Sequence, residues 1–222
     1  MATESTSLRL RVWDLPLRLF HWALVVLIGF AWWSVETHHL DWHKTAGSLI
    51  AGLLVFRLWW GILGGSTARF SDFVRGPGTL WRYLFSKQKP DISTGHNPLG
   101  ALSVIALLVL CLAVICFGLF AVDTDGLESG PLSDLVDFDQ GRLASKLHGL
   151  AFEGLQILVV LHLAAIAFYA LVKKQPLVRA MITGRKTKTG EAGDLVPAKA
   201  LSLITGLVLG AATSAILIYM SK

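Results

Sequence analysis

The sequence contains little charge. Only 16% of its 222 residues are Asp, Glu, Lys or Arg, whereas 54% are hydrophobic. This excludes an ordinary soluble domain, in which about 25% of the residues are charged. The net charge of +5 comes from basic residues that flank long apolar runs. That distribution indicates membrane topology and argues against nucleic-acid binding.

Cysteine is also scarce. The two cysteines, Cys111 and Cys116, lie within a single apolar run. A helix places residues five apart on different faces, so a disulfide and a metal site built on this pair are both excluded. We expect both side chains to be small, buried and hydrophobic in character.

What the sequence does contain is five apolar runs. They cover about residues 16–35, 43–63, 98–122, 144–172 and 199–220, and each is long enough for a helix to cross the ~30 Å hydrocarbon core of a bilayer. The first run ends with Trp32 and Trp33 and is followed by Glu36, with no small-residue cleavage site, so we interpret it as a retained helix. The sequence predicts an all-α integral membrane protein with a main domain at 1–190 and an additional transmembrane helix at 191–222.

The basic residues predict an orientation. They are concentrated in the N-terminal segment and in the loops after the second and fourth runs, whereas the loop at 123–140 is acidic. Cytoplasmic loops carry an excess of Lys and Arg. We therefore expect the N-terminus inside the cell and the C-terminus outside.

Two histidines of the fourth run predict two separate centres. His148 and His162 are fourteen residues apart, which returns them to within about 40° of the same helix face at depths that differ by ~21 Å. One metal ion cannot bind both, because coordination distances are ~2 Å. Two haems stacked across the bilayer suit this spacing.

The predicted topology supplies the second ligand of each centre. The first helix starts inside, so His21 is expected at the depth of His162. The second helix starts outside, so His43 is expected opposite His148. The metal ligands predicted from the sequence are therefore His21, His43, His148 and His162.

Other residues near these positions suit a haem. Small residues would let a flat macrocycle lie against the helices: Ala46, Gly47, Gly149, Ala151, Gly154, Ala164 and Ala165. Arg18, one turn from His21, is a candidate for binding a haem propionate, and Lys44 and Lys146 are candidates on the outer side. Arg57 has three alternative roles, which are pairing with a propionate, pairing with a helix terminus, or reaching the lipid headgroups.

Three histidines are left outside the ligand set. His38 and His39 lie in a polar turn and are interpreted as solvated, although they are the substitutes if His43 is not a ligand. His96 lies in a turn-forming sequence before the third run, where capping a helix is the simpler role.

Several motifs occur in order along the chain. They are the segments 11–22 (RVWDLPLRLFHW), 57–61 (RLWWG), 68–70 (ARF) and 95–100 (GHNPLG), together with His43, Gly47, His148 and His162. Over about residues 9–184 they resemble the bacterial cytochrome b561 and nickel-iron hydrogenase b-type cytochrome family. This sequence differs in having the fifth apolar run, which the shorter members of that family lack.

The resemblance implies a four-helix haem-binding bundle with two haems b, whose ligands lie on the first, second and fourth helices. It also implies a multi-pass protein of the bacterial inner membrane, with a periplasmic C-terminus here. The expected function is electron transfer between a quinone pool and a c-type cytochrome, a hydrogenase or another dehydrogenase. Whether the chain forms a homodimer stays open.

Two other functions remain as alternatives. A metal or proton transporter would use membrane histidines, but it would need further polar groups along its pathway, and the spans hold almost none apart from Glu153. A haem-free anchor of a redox complex would be colourless when purified.

Overall fold

A computed structural model describes residues 7–74, 76, 78, 82, 85, 98–124, 128–189 and 195–221. A short 3-10 helix spans Ser133–Leu135, and the α-helices with defined bounds are α1 (Leu15–Glu36), α2 (Leu40–Leu63), α3 (Phe70–Phe73), α4 (Pro98–Leu119), α5 (Phe138–Leu171), α6 (Leu177–Thr183) and α7 (Ala200–Met220). All except the short α3 and α6 are long and apolar enough to cross a membrane. The prediction of an all-α integral membrane protein is confirmed.

Capping residues set where the helices begin. Asp14 precedes α1, and its carboxylate accepts a hydrogen bond from the Leu17 N–H at 2.9 Å. The predicted start of the fourth span, near residue 144, is wrong because Asp137 and Gln140 form a capping box that begins α5 at Phe138. The second span likewise begins at Leu40, three residues before its predicted start.

The central helix of the bundle is α2. Within its apolar span 56% of the residues are buried inside the protein, compared with 17% or less in each of the other four spans. Helices α1, α4 and α7 pack against α2, and α5 packs against α4. The α2 and α7 backbones approach closely, because a Cβ added to Gly52 would overlap Gly210 O and Ser214 Oγ. The indole N–H of Trp59 also donates to Ser202 O at 2.9 Å.

Two short strands join distant parts of the chain. Strand β1 (Ser7–Arg11) pairs antiparallel with β2 (Arg185–Thr189), so that Ser7 faces Thr189 and Arg11 faces Arg185. The sequence analysis did not predict this ribbon. We call the end of the bundle that carries it the ribbon end, and the end with the turn at 37–39 and the segment 120–137 the opposite end.

The segments around α2 and α7 also meet at the ribbon end. The Ser66 N–H donates to Val196 O at 3.0 Å, which joins the turn after α2 to the segment before α7. The structure therefore brings the N-terminal segment, the start of the loop after α2 and the loop after α5 to one end of the bundle. These are the three segments in which the basic residues are concentrated.

The two cysteines differ in their surroundings. Cys111 is buried in α4, as predicted, with 4% of its surface exposed. The expectation for Cys116 is wrong, because it is exposed. Five residues along a helix separate the two positions by more than a quarter-turn, so only one of them can face α2 and α5.

Candidate functional site

His43 and His148 face each other at the opposite end of the bundle. His43 lies in the first turn of α2, and His148 lies inside the long helix α5. Their ring centres are 6.0 Å apart and their planes are inclined at 87°. Both side chains are half-buried. One turn further along α5, Phe152 contacts Trp32 at 6.2 Å between ring centres, which brings α1 alongside this histidine pair.

Backbone carbonyls of neighbouring helices orient both imidazoles. Nδ1 of His43 lies 3.0 Å from Ala31 O on α1, and Nδ1 of His148 lies 2.8 Å from Val114 O on α4. A carbonyl oxygen can only accept a hydrogen bond, so Nδ1 carries the proton in both rings. Nε2 therefore keeps its lone pair in both rings, which is the tautomer that metal-binding histidines adopt when a second group holds Nδ1–H.

Glycines shape the space around this pair. A Cβ added to Gly118 of α4 would lie 2.9 Å from Nδ1 of His148, so only glycine lets α4 support the ring this closely. By contrast, no atom lies within 4 Å of the Cβ position of Gly47 or Gly149. Gly47 follows His43 by one turn on the same helix face. The His148 ring is thus in close contact with α4, and there is open space next to Gly47 and Gly149.

His21 and His162 form a second pair nearer the ribbon end. The two imidazoles are close enough to interact electrostatically, and the His21 ring packs edge-on against Trp22 at 5.0 Å between ring centres. Nδ1 of His21 is buried and has no hydrogen-bond partner among the described residues. No three or more His, Cys, Asp or Glu side chains in this part of the chain gather as a metal site, so the four histidines meet as two pairs.

The two pairs lie at different depths. His21 precedes Ala31, the residue that contacts His43, by ten positions in α1, which corresponds to ~15 Å along the helix axis. The fourteen positions between His148 and His162 correspond to ~21 Å along α5. The structure therefore brings His43 to His148 and His21 to His162, in two layers.

Arg57 lies near the ribbon end with only 3% of its surface exposed. Its guanidinium is 4.6 Å from the centre of the Phe70 ring and interacts electrostatically with Asp14, whose carboxylate accepts a hydrogen bond from the Trp60 indole at 3.0 Å. One buried guanidinium nitrogen of Arg57 makes no hydrogen bond within the described ranges. This burial excludes the alternative in which Arg57 reaches the lipid headgroups.

The other predicted basic residues have different surroundings. Arg18 donates a hydrogen bond to Ile182 O, while its Nε is buried and has no hydrogen-bond partner in the described part of the chain. Lys44 forms ion pairs with Glu128 at 3.0 Å and Asp41 at 3.5 Å. These carboxylates occupy the Lys44 ammonium that was predicted to bind a propionate. Lys146 is exposed on α5.

His38 and His39, the other histidines that the structure describes, do not join either pair. His38 adopts a left-handed backbone conformation, with φ of 58°, in the turn before α2. His39 is exposed and stacks on Trp42 with 4.5 Å between ring centres. His96 lies outside the described residues.

The sequence analysis missed the groups that hold the histidines in place. They are the carbonyls of Ala31 and Val114 and the close contact at Gly118. A backbone carbonyl has no sequence signal. Gly118 carries a weak one, because glycine inside a transmembrane helix marks close packing.

Comparison with known proteins identifies the family. The sequence model described as prokaryotic cytochrome b561 matches residues 12–184. Two similar relatives are probable Ni/Fe-hydrogenase B-type cytochrome subunits of Azotobacter chroococcum mcd 1 and Azotobacter vinelandii. They are 25% and 24% identical over 207 residues, covering 78% of this chain and 86% of each relative. A probable subunit of the same type from Rhizobium leguminosarum bv. viciae is 29% identical over 93 residues, covering 38% of this chain and 39% of the relative.

No solved structure matches the chain. The family match covers both histidine pairs and ends before α7. The resemblance predicted from the motifs is confirmed. The chain belongs to the prokaryotic cytochrome b561 family, and it is a multi-pass membrane b-type cytochrome of electron transfer.

Proposed function

We propose that the chain holds two haems b in two layers, one between His43 and His148 and the other between His21 and His162. The observation that carries this proposal is the 6.0 Å between the ring centres of His43 and His148. Imidazole nitrogens bind transition metals at about 2 Å, so two rings on opposite sides of one ion have centres roughly 6 Å apart. The spacing fits a single six-coordinate iron.

The surroundings of this pair also fit a haem. The Ala31 and Val114 carbonyls fix the proton on Nδ1 and leave Nε2 to bind the iron. Gly118 holds the His148 ring from behind, while the open space beside Gly47 and Gly149 leaves room for a flat macrocycle. These contacts hold both imidazoles in an orientation that fits a haem.

The second pair is supported by proximity and by an unsatisfied atom. A buried imidazole nitrogen without a hydrogen bond costs free energy of about 1–3 kcal/mol. Nδ1 of His21 is in that position, and a ligand bound to this imidazole would fix the orientation of the ring. His162, which interacts with His21 electrostatically, would supply the other axial bond.

Arg18 and Arg57 are the proposed cationic partners of the haem near the ribbon end. Each has a buried nitrogen with no hydrogen-bond partner among the described residues, and both lie on the helices that carry His21 and His43. A propionate would accept hydrogen bonds from these nitrogens. Bound haems would supply the one-electron chemistry, while burial and hydrogen bonds from the chain would tune their potentials.

The proposed role is electron transfer across the bilayer between a quinone pool and a redox partner. Two layers of histidines separated by ~15–21 Å along the helices would divide the crossing into two shorter steps. The relatives named as Ni/Fe-hydrogenase B-type cytochrome subunits support a hydrogenase as the partner. A c-type cytochrome or another dehydrogenase would use the same electron path.

The proposed location is the bacterial inner membrane, with the ribbon end in the cytoplasm. Basic residues are concentrated at the ribbon end, whereas the segment 120–137 at the opposite end carries acidic residues. This arrangement supports an N-terminus in the cytoplasm and a C-terminus in the periplasm.

Haem content per chain tests the two-haem proposal. Purified wild-type protein is expected to contain two haems b by pyridine haemochrome analysis. His43→Ala and His162→Ala are each expected to lose one haem and keep the other, because each substitution removes a ligand from a different layer. The retained haem shows that the variant is folded. Quinol-dependent reduction of the haems in lipid nanodiscs tests the proposed electron source.

The matched control is His38→Asn. It removes an imidazole from the same end of the bundle, and asparagine tolerates the left-handed φ of 58°. This variant is expected to keep both haems. A colourless wild-type protein would leave the haem-free anchor and the transporter as the alternatives. Retention of both haems in His43→Ala and His162→Ala would refute the ligand assignment.

A further inference from the structure

A cavity of about 790 Å³ lies at the ribbon end, between the start of α1, helix α6 and strand β2. Among the described residues that line it, Asp14 is the single acidic one. Six described basic residues also line it: Arg11, Arg18, Lys174, Arg179, Arg185 and Lys186. This concentration of positive charge around one concave surface is typical of a site for an anion.

Asp14 supplies little free negative charge to the cavity. Both of its carboxylate oxygens already accept hydrogen bonds, from the Leu17 N–H and from the Trp60 indole. Lys174, Arg179 and Arg185 form no ion pair with any residue that the structure describes. A bound anion could therefore interact with these three side chains without displacing a carboxylate of the described residues.

The cavity wall is fixed by the backbone. Gly184 ends α6 in the left-handed conformation, with φ of 73°, and its carbonyl accepts a hydrogen bond from the Val12 N–H at 2.8 Å. A Cβ on Gly184 would lie 2.7 Å from Trp13 O and 3.1 Å from Nε of Arg18. Only glycine therefore lets the segment after α6 approach the start of α1 this closely.

Topology alone does not explain this arrangement. The positive-inside rule requires an excess of Lys and Arg in short cytoplasmic loops, but it does not require them to surround a common cavity. Lys174 also has a left-handed backbone, with φ of 54°, which costs a non-glycine residue free energy of roughly 1 kcal/mol. The turn holds Lys174 at the cavity despite this cost.

We propose that this cavity binds the phosphate group of an anionic phospholipid headgroup. Apolar side chains line the cavity beside the basic ones, and Leu15 is 56% exposed on the first turn of α1. An acyl chain could run along this helix surface while its phosphate occupies the basic cavity. Basic pockets at the cytoplasmic ends of transmembrane helices recognise lipids in this manner. A free phosphate ion would use the same cationic groups without the apolar contact.

Lipid titration followed by native mass spectrometry tests this proposal on the full chain. The probes are phosphatidylglycerol and zwitterionic phosphatidylcholine, and the expected result is one tightly bound phosphatidylglycerol per protein. In the double variant Arg179→Gln with Arg185→Gln, its dissociation constant is expected to rise about 30-fold, because two cationic side chains near a lipid phosphate are lost. Haem content, which should not change, reports that this variant is folded.

The matched control is Lys173→Gln with Lys199→Gln. It removes the same charge from the same end of the bundle, but neither residue lines the cavity. This control is expected to bind phosphatidylglycerol within about twofold of wild type, because both lysines are exposed and lie outside the cavity lining, so that salt screens their charge. Equal weakening in both double variants, or equal binding of phosphatidylcholine, would overturn the proposal.

Inorganic phosphate distinguishes the two sources of the anion. Millimolar phosphate is expected to leave phosphatidylglycerol bound, because it lacks the apolar contact along α1. Displacement of the lipid by phosphate, lost in the arginine double variant, would keep the anion site but overturn its assignment to a lipid. If neither probe responds to the arginine substitutions, the cavity is not an anion site.

Discussion

The substitution Gly118→Ala tests how α4 supports the His148 imidazole. The added methyl group would lie 2.9 Å from Nδ1 and 3.0 Å from Cε1 of His148, whereas ordinary contacts begin near 3.4 Å. The ring or α4 must therefore move by about 0.5 Å, and the 2.8 Å hydrogen bond to Val114 O lies in the region that moves. Overpacking of this kind costs free energy of roughly 1–3 kcal/mol.

That cost predicts a selective loss of one haem. A penalty of 1–3 kcal/mol corresponds to roughly 5- to 150-fold weaker binding of the haem that we propose between His43 and His148. The haem proposed between His21 and His162 would lie ~15–21 Å away along the helices and should be unaffected. Pyridine haemochrome analysis gives the haem-to-protein ratio, and low-temperature electron paramagnetic resonance reports the axial ligands of each haem.

Gly154→Ala is the matched control. Gly154 lies on α5 and also faces α4, but a Cβ there would be 3.6 Å from the nearest atom, a methyl group of Leu110. Both variants gain the helix propensity of alanine, so the contact with His148 is the difference between them. Two haems with wild-type spectra in Gly118→Ala would refute the reasoning, as would an equal loss in Gly154→Ala.

Three further predictions concern the contacts that hold the bundle together. Gly52→Ala is expected to lower the free energy of unfolding by about 1–3 kcal/mol, because its Cβ would overlap Gly210 O in α7. Thermal melting in detergent measures this, with Gly29→Ala, which has no atom within 4 Å of its Cβ position, as the control that should not melt earlier. Asp14→Ala is expected to cost about 1–2 kcal/mol by the same assay, since it removes the cap of α1 and the acceptor of the Trp60 indole. Asp14→Asn should recover part of that stability, and a wild-type melting temperature in Asp14→Ala would contradict the prediction. A double-mutant cycle on Lys44 and Glu128 should give a coupling energy below ~1 kcal/mol, because the pair is partly exposed.

The histidine pairs could be predicted because two independent patterns agree. The fourteen-residue spacing of His148 and His162 sets two depths, and the distribution of basic residues sets the direction of each helix. Together they identify His43 and His21 as the facing residues, and the structure brings these residues together. The rise of a helix per residue and the thickness of the membrane are fixed, so the depth of each histidine could be predicted from its position in the sequence.

Contacts between backbones could not be predicted in the same way. The Ala31 and Val114 carbonyls that orient the imidazoles depend on the relative rotation of neighbouring helices, which the sequence pattern does not fix. The start of α5 was readable, because Asp137 and Gln140 have the spacing of a capping box. Hydropathy predicted a later start for α5 because the first turn of this helix is polar. A cap stabilises a helix through hydrogen bonds, which hydropathy does not measure.

The β1–β2 ribbon was not predicted because only one of its strands carries a strand pattern. Leu8 and Leu10 alternate with basic residues in β1, but β2 (RKTKT) contains no apolar residue. The pairing of β1 with β2 also sets an order of assembly during translation. Ser7 leaves the ribosome long before its partner Thr189, which comes about 180 residues later. At translation rates of ~5–20 residues per second this delay is roughly 10–35 s. Strand β1 therefore stays unpaired until four helices have been inserted, and the ribbon forms late, after most of the bundle has been made.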